Sequence, residues 1–478
     1  MLRSTKPLNL LDQSLPARTI IWTLAWPTIL EQFLQVTVTY VDSAMVGSLG
    51  AQATAAVSVP ASTIWLVNGW MNAFAIGFAV LMARNLGSGK TDRARLITRQ
   101  AILSSLFFGL FLTCSFLIIA RRLPSWIGAE AAVEPLAQQY FHYIALGYLP
   151  NLLMILISTL LRLSGDSRTP LYLNGLNNLM NILLNLFFIF PSIPLPVVTL
   201  PGLGLGVRGA AMATSISCTV TSILLFGILV TTSNPIRLSL KGSWKFDTAI
   251  LKSSLRLALP MALERSTLSF GQIVYTKMVG TLGTTALAAH FLAINAESMT
   301  YLPASGFSTA ATTLVAQSLG REDKQLARRF ASTCVAMGTL LMTLMGVILY
   351  LFAPLLMSFF TRDAQVIALG SRVLRLEAFA EPAFGLSILV FGVLRGAGDT
   401  KGPFHIAITG MWLIRLPLAY LLLGTTNLAL MGIWLAMVAD LNIRGIICLV
   451  RYRRFTWLDS WRESHQGRGT GAKKVLQP

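Results

Sequence analysis

The chain has 478 residues, of which 54% are hydrophobic and 12% charged, and its mean hydropathy is +0.66. An ordinary soluble domain carries about 25% charged residues, so this composition excludes one. The formal net charge of +19 would suit a nucleic-acid-binding protein, but the distribution of the basic residues favours another explanation.

Apolar stretches long enough to cross about 30 Å of hydrocarbon recur along the whole chain. The first eighteen residues lack the apolar core of a signal peptide, so no cleaved leader is expected. We predict an all-α, multi-pass membrane protein with twelve transmembrane helices, at about 18–46, 54–83, 97–120, 135–163, 170–190, 206–232, 250–280, 286–317, 328–353, 366–396, 403–424 and 429–450.

Basic residues fall mainly on alternate connections and on the tail from Arg451 onward. The other set of connections is nearly free of Lys and Arg: 47–54, 191–206, 281–286 and 424–429 contain none, and the exceptions are Arg121 with Arg122, and Arg362. By the positive-inside rule, the basic connections and both termini are cytoplasmic. Topology and attraction to anionic lipids therefore explain the positive charge, and no nucleic-acid partner is expected.

The second half of the chain repeats the first at a constant shift of 233 residues. The matched pairs are WPTILEQ (26–32) with LPMALER (259–265), MVGSLG (45–50) with MVGTLG (278–283), and LRLSGDSRTP (161–170) with LRGAGDTKGP (394–403). Two repeats of six helices enter the membrane in the same sense. We therefore expect two six-helix bundles related by a pseudo-two-fold axis along the membrane normal.

These patterns divide the chain into five predicted parts. They are a cytoplasmic N-terminus (1–17), an N-terminal bundle (18–232), a cytoplasmic linker (233–249), a C-terminal bundle (250–452) and a cytoplasmic tail (453–478). The tail is polar and rich in glycine and basic residues, which predicts disorder.

Short motifs at the helix connections have structural interpretations. LGSGKT (86–91) has Arg84 where a phosphate-binding loop needs its first glycine, so ATP hydrolysis is not expected. The Gly-Asp pairs at 165–166 and 398–399 are typical of a helix end followed by a helix start. We expect the nearby Arg162 and Arg395 to extend to the membrane edge. Single cysteines and scattered histidines predict no metal site.

The first predicted helix carries two carboxylates in an otherwise apolar stretch. Glu31 and Asp42 are eleven residues apart and share a helix face, with Gln35 and Thr39 between them. An ionisable group in hydrocarbon costs about 2.5–3.5 kcal/mol even on lenient insertion scales, so such groups normally face a bundle interior or a water-filled cavity. The stripe predicts a cation site; the alternative is a structural carboxylate bonded to a neighbouring helix.

Asparagines of the fifth helix are further candidates in the first half: Asn177, Asn178, Asn181 and Asn185. Asn181 and Asn185 lie one turn apart and could present their amides to a shared ligand. The alternative is that these amides only join helices to one another.

In the second half, Glu264, Gln272 and Tyr275 lie on roughly one face, and Tyr275 takes the repeat position of Asp42. Glu297, Glu377 and Glu381 add carboxylates, with Glu381 expected near the middle of its helix. We expect Arg415 and Asp440, both mid-helix, to neutralise each other.

Proline inside a helix frees a backbone carbonyl and permits a bend. Pro27, four residues before Glu31, could allow a bend that moves Asp42 relative to its neighbours. The same interpretation applies to Pro150, Pro260, Pro303, Pro382 and Pro417.

The first-helix VDSAMVGSLG, the later MVGTLGTTALAAH and the paired RxxGDxxxP connections resemble multidrug and toxic compound extrusion (MATE) transporters. The resemblance covers about 16–452, and the bacterial DinF-like branch is the most similar. It implies secondary antiport, in which organic and often cationic compounds leave the cell as H+ or Na+ enters. By this resemblance, Asp42 matches the cation-coupling carboxylate of the first helix, and Asn181 matches the asparagine of the fifth helix that assists it. At position 185, where the family has an acidic residue, this chain has Asn185. Other branches use a seventh-helix Glu and a tenth-helix acid; Glu264, one turn early, and Glu381 are the candidates.

We therefore predict a multidrug or organic-cation exporter, not an enzyme, in the bacterial cytoplasmic membrane. The predicted cation-coupling residues are Asp42, Glu31, Asn181 and Asn185, and the secondary cation or substrate candidates are Glu264, Gln272, Tyr275 and Glu381. No cofactor is expected besides the coupling ion, and the expected state is a monomer among membrane lipids. The alternatives are a flippase for lipid-linked precursors, which would favour cationic cavity residues, and a non-coupled channel or scaffold.

Overall fold

The computed structural model describes residue 10 and residues 14–194, 199–232, 234–239 and 244–460, most of which are helical. In the first half of the chain, the helices are α1 (Ala17–Gly47), α2 (Ala51–Ser58), α3 (Ala61–Gly87), α4 (Thr91–Ile119), α5 (Leu123–Ile127), α6 (Glu134–Leu146), α7 (Tyr148–Ser164), α8 (Arg168–Ile189) and α9 (Val207–Thr231).

The second half continues in the same way. Its helices are α10 (Thr248–Gly280), α11 (Thr284–Ser298), α12 (Leu302–Gly320), α13 (Lys324–Ser358), α14 (Ala364–Glu377), α15 (Glu381–Gly396), α16 (Lys401–Ile408), α17 (Leu416–Thr425) and α18 (Leu430–Arg453). A π-helical segment (Thr409–Arg415) joins α16 to α17, and a 3-10 turn (Thr456–Leu458) follows α18.

Each of the twelve predicted apolar segments coincides with one helix or with successive helices. Six stretches of the described chain are long and apolar enough to cross a membrane singly: Ala51–Gly87, Thr91–Ile119, Val207–Thr231, Lys324–Ser358, Lys401–Thr425 and Leu430–Arg453. Two bent pairs also pass when each is taken as one span, α6 with α7 and α14 with α15. The chain is a multi-pass, helical membrane protein.

Several predicted helices are broken, which corrects two expectations. α14 and α15 meet at an angle of 57°, so Glu381 is the first residue of α15 and does not lie in the middle of a helix. Pro382 and Pro303 lie in first turns, where a missing N–H costs nothing, whereas Pro27 and Pro260 lie inside α1 and α10.

The all-α prediction holds except for one small hairpin. Strand β1 (Ser192–Pro194) pairs antiparallel with β2 (Thr199–Pro201) in the long connection between α8 and α9.

The start of the tail is ordered, contrary to the expected disorder. Trp457 is 1% exposed and stacks on Tyr452, with ring centroids 6.0 Å apart. Lys324 Nζ contacts Asp459 Oδ1 at 2.5 Å, which ties the tail to the start of α13. The expectation of a disordered tail is thus incorrect for 453–460, and 461–478 lie outside the described residues.

The described residues of the linker are docked on α4. Arg95 Nε donates to the Pro235 carbonyl at 3.1 Å, and Gln100 Nε2 donates to the Lys245 carbonyl at 2.7 Å. The side-chain oxygen of Gln100 accepts from the Asp247 amide at 3.0 Å. This part of the linker therefore packs against the first half of the chain.

Residue contacts group the chain into two compact units. Among the described residues, the first contains Trp26–Leu86 and Lys90–Arg265; the second contains residue 10 and residues 14–25, 87–89 and 266–460. Both main boundaries fall inside long helices, next to Pro27 in α1 and five residues after Pro260 in α10. These limits differ from the predicted bundle boundaries because α1 and α10 each contribute residues to both units.

Candidate functional site

In the first unit, α1 and α8 run in the same direction in one register. Glu31 pairs with Asn174 and Asp42 with Asn185, and both pairs are separated by 143 residues in sequence. Val46 and Ile189, also 143 apart, belong to one apolar cluster with residues of α2, α6 and α9. The cluster closes the end of the α1–α8 pair beyond Asp42 and fixes the register of the polar residues.

The side-chain amides of two asparagines on α8 contact the Asp42 carboxylate. Asn185, which is fully buried, donates from Nδ2 to Asp42 Oδ1 at 2.6 Å. With oxygen and nitrogen of the Asn181 amide exchanged, its NH2 lies 2.9 Å from Asp42 Oδ1 and its carbonyl accepts from Thr214 Oγ1 at 3.2 Å. This orientation gives both ends of the Asn181 amide a suitable partner.

No charged partner neutralises Asp42. Among the described residues, no Lys, Arg or His side chain comes within ion-pairing distance of it. The carboxylate is half-buried, so one side remains open to a ligand. A carboxylate with amide donors and no fixed counter-charge can exchange one bound cation for another. The structure thus brings together three of the predicted coupling residues: Asp42, Asn181 and Asn185.

Glu31 lies elsewhere. It is about 16 Å from Asp42 along α1, because eleven residues rise 1.5 Å each. Its Oε1 accepts from Arg162 Nη2 at 2.5 Å and from Asn174 Nδ2 at 2.6 Å. The shared face was predicted correctly, but Glu31 does not join the Asp42 cluster. Arg162, in the last turn of α7, forms this ion pair, and its extension to the membrane edge stays a prediction.

The Gly-Asp pairs have the predicted capping geometry. Gly165 and Gly398 have φ of 107° and 85°, in the left-handed region that ends a helix. Asp166 accepts from the Thr169 amide at 3.0 Å, and Asp399 accepts from the Gly402 amide at 2.8 Å. These motifs position the starts of α8 and α16. The second oxygen of each carboxylate accepts from a side chain, Thr169 Oγ1 for Asp166 and Arg451 Nη2 for Asp399, each at 2.6 Å.

In the second unit, the repeat position of Asp42 is occupied by Tyr275, whose hydroxyl is hydrogen-bonded to the main chain. Tyr275 is fully buried, and its hydroxyl donates to the Ile433 carbonyl at 2.8 Å. The guanidinium of Arg415 lies 5.6 Å from the centre of its ring. Gln272, one turn earlier on α10, is partly buried. These surroundings differ from those of Asp42, which is half-buried and contacts amides.

Arg415 and Asp440 neutralise each other as predicted, with a third member. Asp440 Oδ2 accepts from Arg415 Nε at 2.9 Å and from Arg444 Nη2 at 2.6 Å. Gly410, in the π-helical segment, lies so close that a Cβ there would meet Asp440 Oδ1 and the Arg444 guanidinium. The spacing of Asp440 and Arg444, one helical turn, was the sequence signal for the missed partner.

Three glutamates are buried in the second unit. Glu381 Oε1 accepts from Thr300 Oγ1 at 2.5 Å, and Glu377, 0% exposed, interacts electrostatically with Glu297 and Glu381. Glu264 is buried as well, but it lies in the part of α10 that belongs to the first unit. Two of the secondary candidates, Glu264 and Glu381, therefore belong to different units.

One important residue was missed in the first unit. Asn174 precedes Asn185 by eleven residues, the same spacing that separates Glu31 from Asp42. Equal spacing on two helices was the available signal, but it becomes informative only once the helices are known to be neighbours.

A family model, MatE, matches residues 27–187 and 260–421. The two matched ranges begin 233 residues apart, which is the shift found in the internal repeat. Together they cover more than half of the chain.

Relatives match over nearly the whole length. A "Probable multidrug resistance protein NorM" of Thermotoga maritima is 29% identical over 435 residues, 91% of this chain and 92% of the relative. An "Uncharacterized transporter YisQ" of Bacillus subtilis is 26% identical over 92% of this chain and 94% of the relative.

Solved structures have the same fold. One is the outward-facing conformation of a multidrug resistance MATE family transporter of the MOP superfamily, with TM-score 0.88, 22% identity and coverage of 95% of this chain and 99% of the other. A MATE structure in the bent conformation gives TM-score 0.86 at 20% identity, covering 96% and 99%.

Proposed function

The chain belongs to the MatE family of membrane transporters, and we propose that it exports multiple small organic compounds, cationic or amphiphilic, in exchange for inward-moving H+ or Na+. The match to the family model and the names of the multidrug-resistance relatives support export of several compounds. The environment of one carboxylate supports antiport.

The observation that carries the proposal is the amide-only environment of Asp42. Two asparagines hold the carboxylate in place and leave it without a counter-charge. A carboxylate in an apolar setting is costly unless a cation or a proton accompanies it. Asp42 therefore requires an exchangeable partner, which can be the coupling ion or a cationic substrate.

Antiport follows from competition for this carboxylate. Asp42 cannot hold a substrate cation and a proton or Na+ at full strength together, so binding of one favours release of the other. Each ligand then shifts the transporter towards the conformation that binds it better. Broad specificity follows from a largely apolar surface with few charges, which accepts many amphiphilic cations.

The absence of an acidic residue at position 185 bears on the coupling ion. An amide cannot titrate, so Asn185 orients Asp42 but carries no proton of its own. A single carboxylate with amide oxygens nearby suits a proton or one Na+, and H+ and Na+ are both retained. Glu264 and Glu381 remain candidates for a second site.

The proposal places the protein in a bacterial cytoplasmic membrane as a monomer, with both termini in the cytoplasm. The distribution of Lys and Arg on alternate connections supports this orientation. The first alternative, a lipid-linked precursor flippase, would need cationic groups free to hold phosphates. Arg162, Arg415 and Arg444 are instead engaged by carboxylates. A channel or scaffold has no use for an exchangeable carboxylate.

Ethidium efflux from proteoliposomes under an imposed pH or Na+ gradient tests the proposal, with the parent compared with Asp42→Asn. We expect gradient-driven efflux in the parent. Asp42→Asn removes the charge but keeps the size of the side chain, and it should abolish this efflux. Glu130→Gln, an exposed carboxylate outside the site, is the control and should leave efflux intact. Efflux that survives in Asp42→Asn would move the coupling site to Glu264 or Glu381. No gradient-driven movement of several cationic dyes would favour the flippase.

A further inference from the structure

The first unit contains two equivalent carboxylate–amide pairs on one pair of helices. Glu31 with Asn174 and Asp42 with Asn185 have the same register and the same 2.6 Å distance. Asn174 lies six residues from the start of α8 and Asn185 four residues from its end. One pair therefore lies near each end of α8, with the Asn174 pair on the side where α7 joins α8.

The two pairs differ in what neutralises the carboxylate. Asp42 has amides alone, whereas Glu31 also has the guanidinium of Arg162. Arg162 thus occupies, at the first pair, the position that a coupling cation is proposed to occupy at the second.

The Glu31 site is buried but incompletely satisfied. Glu31 is 9% exposed, and its Oε2 is buried without a hydrogen-bond partner. Arg162 Nε and Asn174 Oδ1 are also buried and unpartnered. Buried polar groups normally have partners, so these three atoms are available for further hydrogen bonds at this site.

The position of Arg162 in the last turn of α7 gives its side chain alternative partners to Glu31. Arg162 lies two residues before the end of α7, and its side chain is more exposed than that of Glu31. A long basic side chain at the end of a helix can reach the last carbonyls or the aqueous interface. Once Arg162 leaves, Glu31 is a buried carboxylate without a counter-charge, and it must then bind a proton or another cation.

We propose that Glu31 is a second proton site of the first unit, which takes up a proton when Arg162 leaves and gives it up when the ion pair re-forms. This inference rests on the proposed function, since it assumes that protons reach the α1–α8 face through Asp42 or from the aqueous side.

The proton transfer is balanced without a co-reactant. The O–H bond on protonated Asp42 breaks and an O–H bond forms on Glu31, which leaves Asp42 ionised. The distance of about 16 Å requires intermediate carriers. Gln35 and Thr39 are exposed on the same face of α1, and Asn177 lies on α8 between the two pairs, so water along this face can carry the proton. When Arg162 returns, the proton leaves towards the side where α7 meets α8.

The groups that face Glu31 favour this switch. α7 contributes the positive Arg162 and the neutral Ser158, which lies 3.4 Å from Asn174; α8 contributes the neutral Asn174. The nearest carboxylate on α1 in sequence, Asp42, is too far along the helix for direct contact. Among the described residues, Arg162 is the basic side chain within ion-pairing distance of Glu31.

Charge-neutral variants separate a proton site from a structural ion pair. Glu31→Gln alone leaves a buried arginine unpaired, so loss of folding would mask the result. The double variant Glu31→Gln/Arg162→Gln removes both charges together and should fold, as judged by monodisperse size-exclusion profiles. We expect its pH profile of efflux to differ from the parent's, because only the dependence due to Asp42 remains. Asp399→Asn/Arg451→Gln, which removes an ion pair of 2.6 Å in the second unit, is the matched control and should keep the parent's pH profile. A double variant with the parent's pH profile would overturn the proposal.

A second readout does not depend on transport. Infrared difference spectra between acidic and alkaline samples report protonated carboxyl groups through their C=O stretch. The difference spectrum of Asp42→Asn should contain a C=O band that is absent from that of Asp42→Asn/Glu31→Gln/Arg162→Gln. The other carboxyl groups are the same in both variants, so their bands cancel when one spectrum is subtracted from the other. Identical spectra would overturn the second proton site even if transport is confirmed. If the band depends on Glu31 but the parent shows no efflux, the proposed function is refuted and the second proton site is retained.

Discussion

Asp42 and Tyr275 occupy the same position in the two repeats, yet their surroundings differ in kind. Asp42 is half-buried among amides and has no fixed counter-charge. Tyr275 is fully buried, bonded to a main-chain carbonyl and covered by Arg415. The second unit does contain carboxylates, but its Asp440 is neutralised by two arginines.

The difference separates two uses of buried charge. In the second unit, Asp440 is paired with Arg415 and Arg444, and these ion pairs join the π-helical segment to α18. Glu377, by contrast, is buried near Glu297 and Glu381, and neither of its carboxylate oxygens has a hydrogen-bond partner. In the first unit, Asp42 is oriented by amides and has no ion-pair partner among the described residues. We infer that the repeats diverged into a unit that exchanges cations and a unit whose charged network is mainly architectural.

The largest expected effect comes from removing the shared carboxylate of the second unit. Asp440→Asn leaves Arg415 and Arg444 buried without their counter-charge, which should destabilise the protein by about 3–5 kcal/mol. Thermal unfolding in detergent measures the loss. Asp459→Asn removes an exposed pair of similar length with Lys324 and should cost about 0–1 kcal/mol.

A stable Asp440→Asn variant would contradict the architectural interpretation of this network. It would mean that Arg415 finds enough compensation in Glu377 and Glu297, with which it also interacts electrostatically. Those glutamates would then belong to the same charge network.

The positions of the helices could be predicted from the sequence, but the residues that pair with the buried charges could not. Apolar length located all twelve segments because hydrocarbon thickness sets that length. The break before Glu381 was not predicted, although Pro382 marks it, because proline is compatible with both a bend and a first turn. The 11-residue spacing put Glu31 and Asp42 on one face, but Arg162 comes from a helix 131 residues away. Periodicity within one helix carries no information about such a neighbour.

A second carboxylate beside Asp42 should change how the site titrates. Asn185→Asp places two carboxylates in hydrogen-bond contact, and they cannot both ionise easily, so one proton is retained to higher pH. Proton release must occur in each cycle, and the pH range of efflux should therefore move upward. Efflux rates at a fixed pH difference and varied absolute pH measure the shift. Asn178→Asp, on the same helix but one turn or more from this contact, is the control. An unchanged profile in Asn185→Asp would argue against Asp42 as the titrating group.

The smallest effect is expected at the repeat position of Asp42. Tyr275→Phe removes one hydrogen bond to the Ile433 carbonyl and keeps the ring under Arg415, so stability should fall by about 0.5–1.5 kcal/mol. Efflux by the folded protein should be unchanged, because the hydroxyl is committed to the backbone. Thermal unfolding and ethidium efflux are measured on the same preparation, with Tyr350→Phe, an exposed tyrosine, as control. If Tyr275→Phe stops efflux while its stability stays near that of the parent, the two repeat positions share a role in transport. The division into an exchanging unit and an architectural unit would then be wrong at the position where it is most sharply defined.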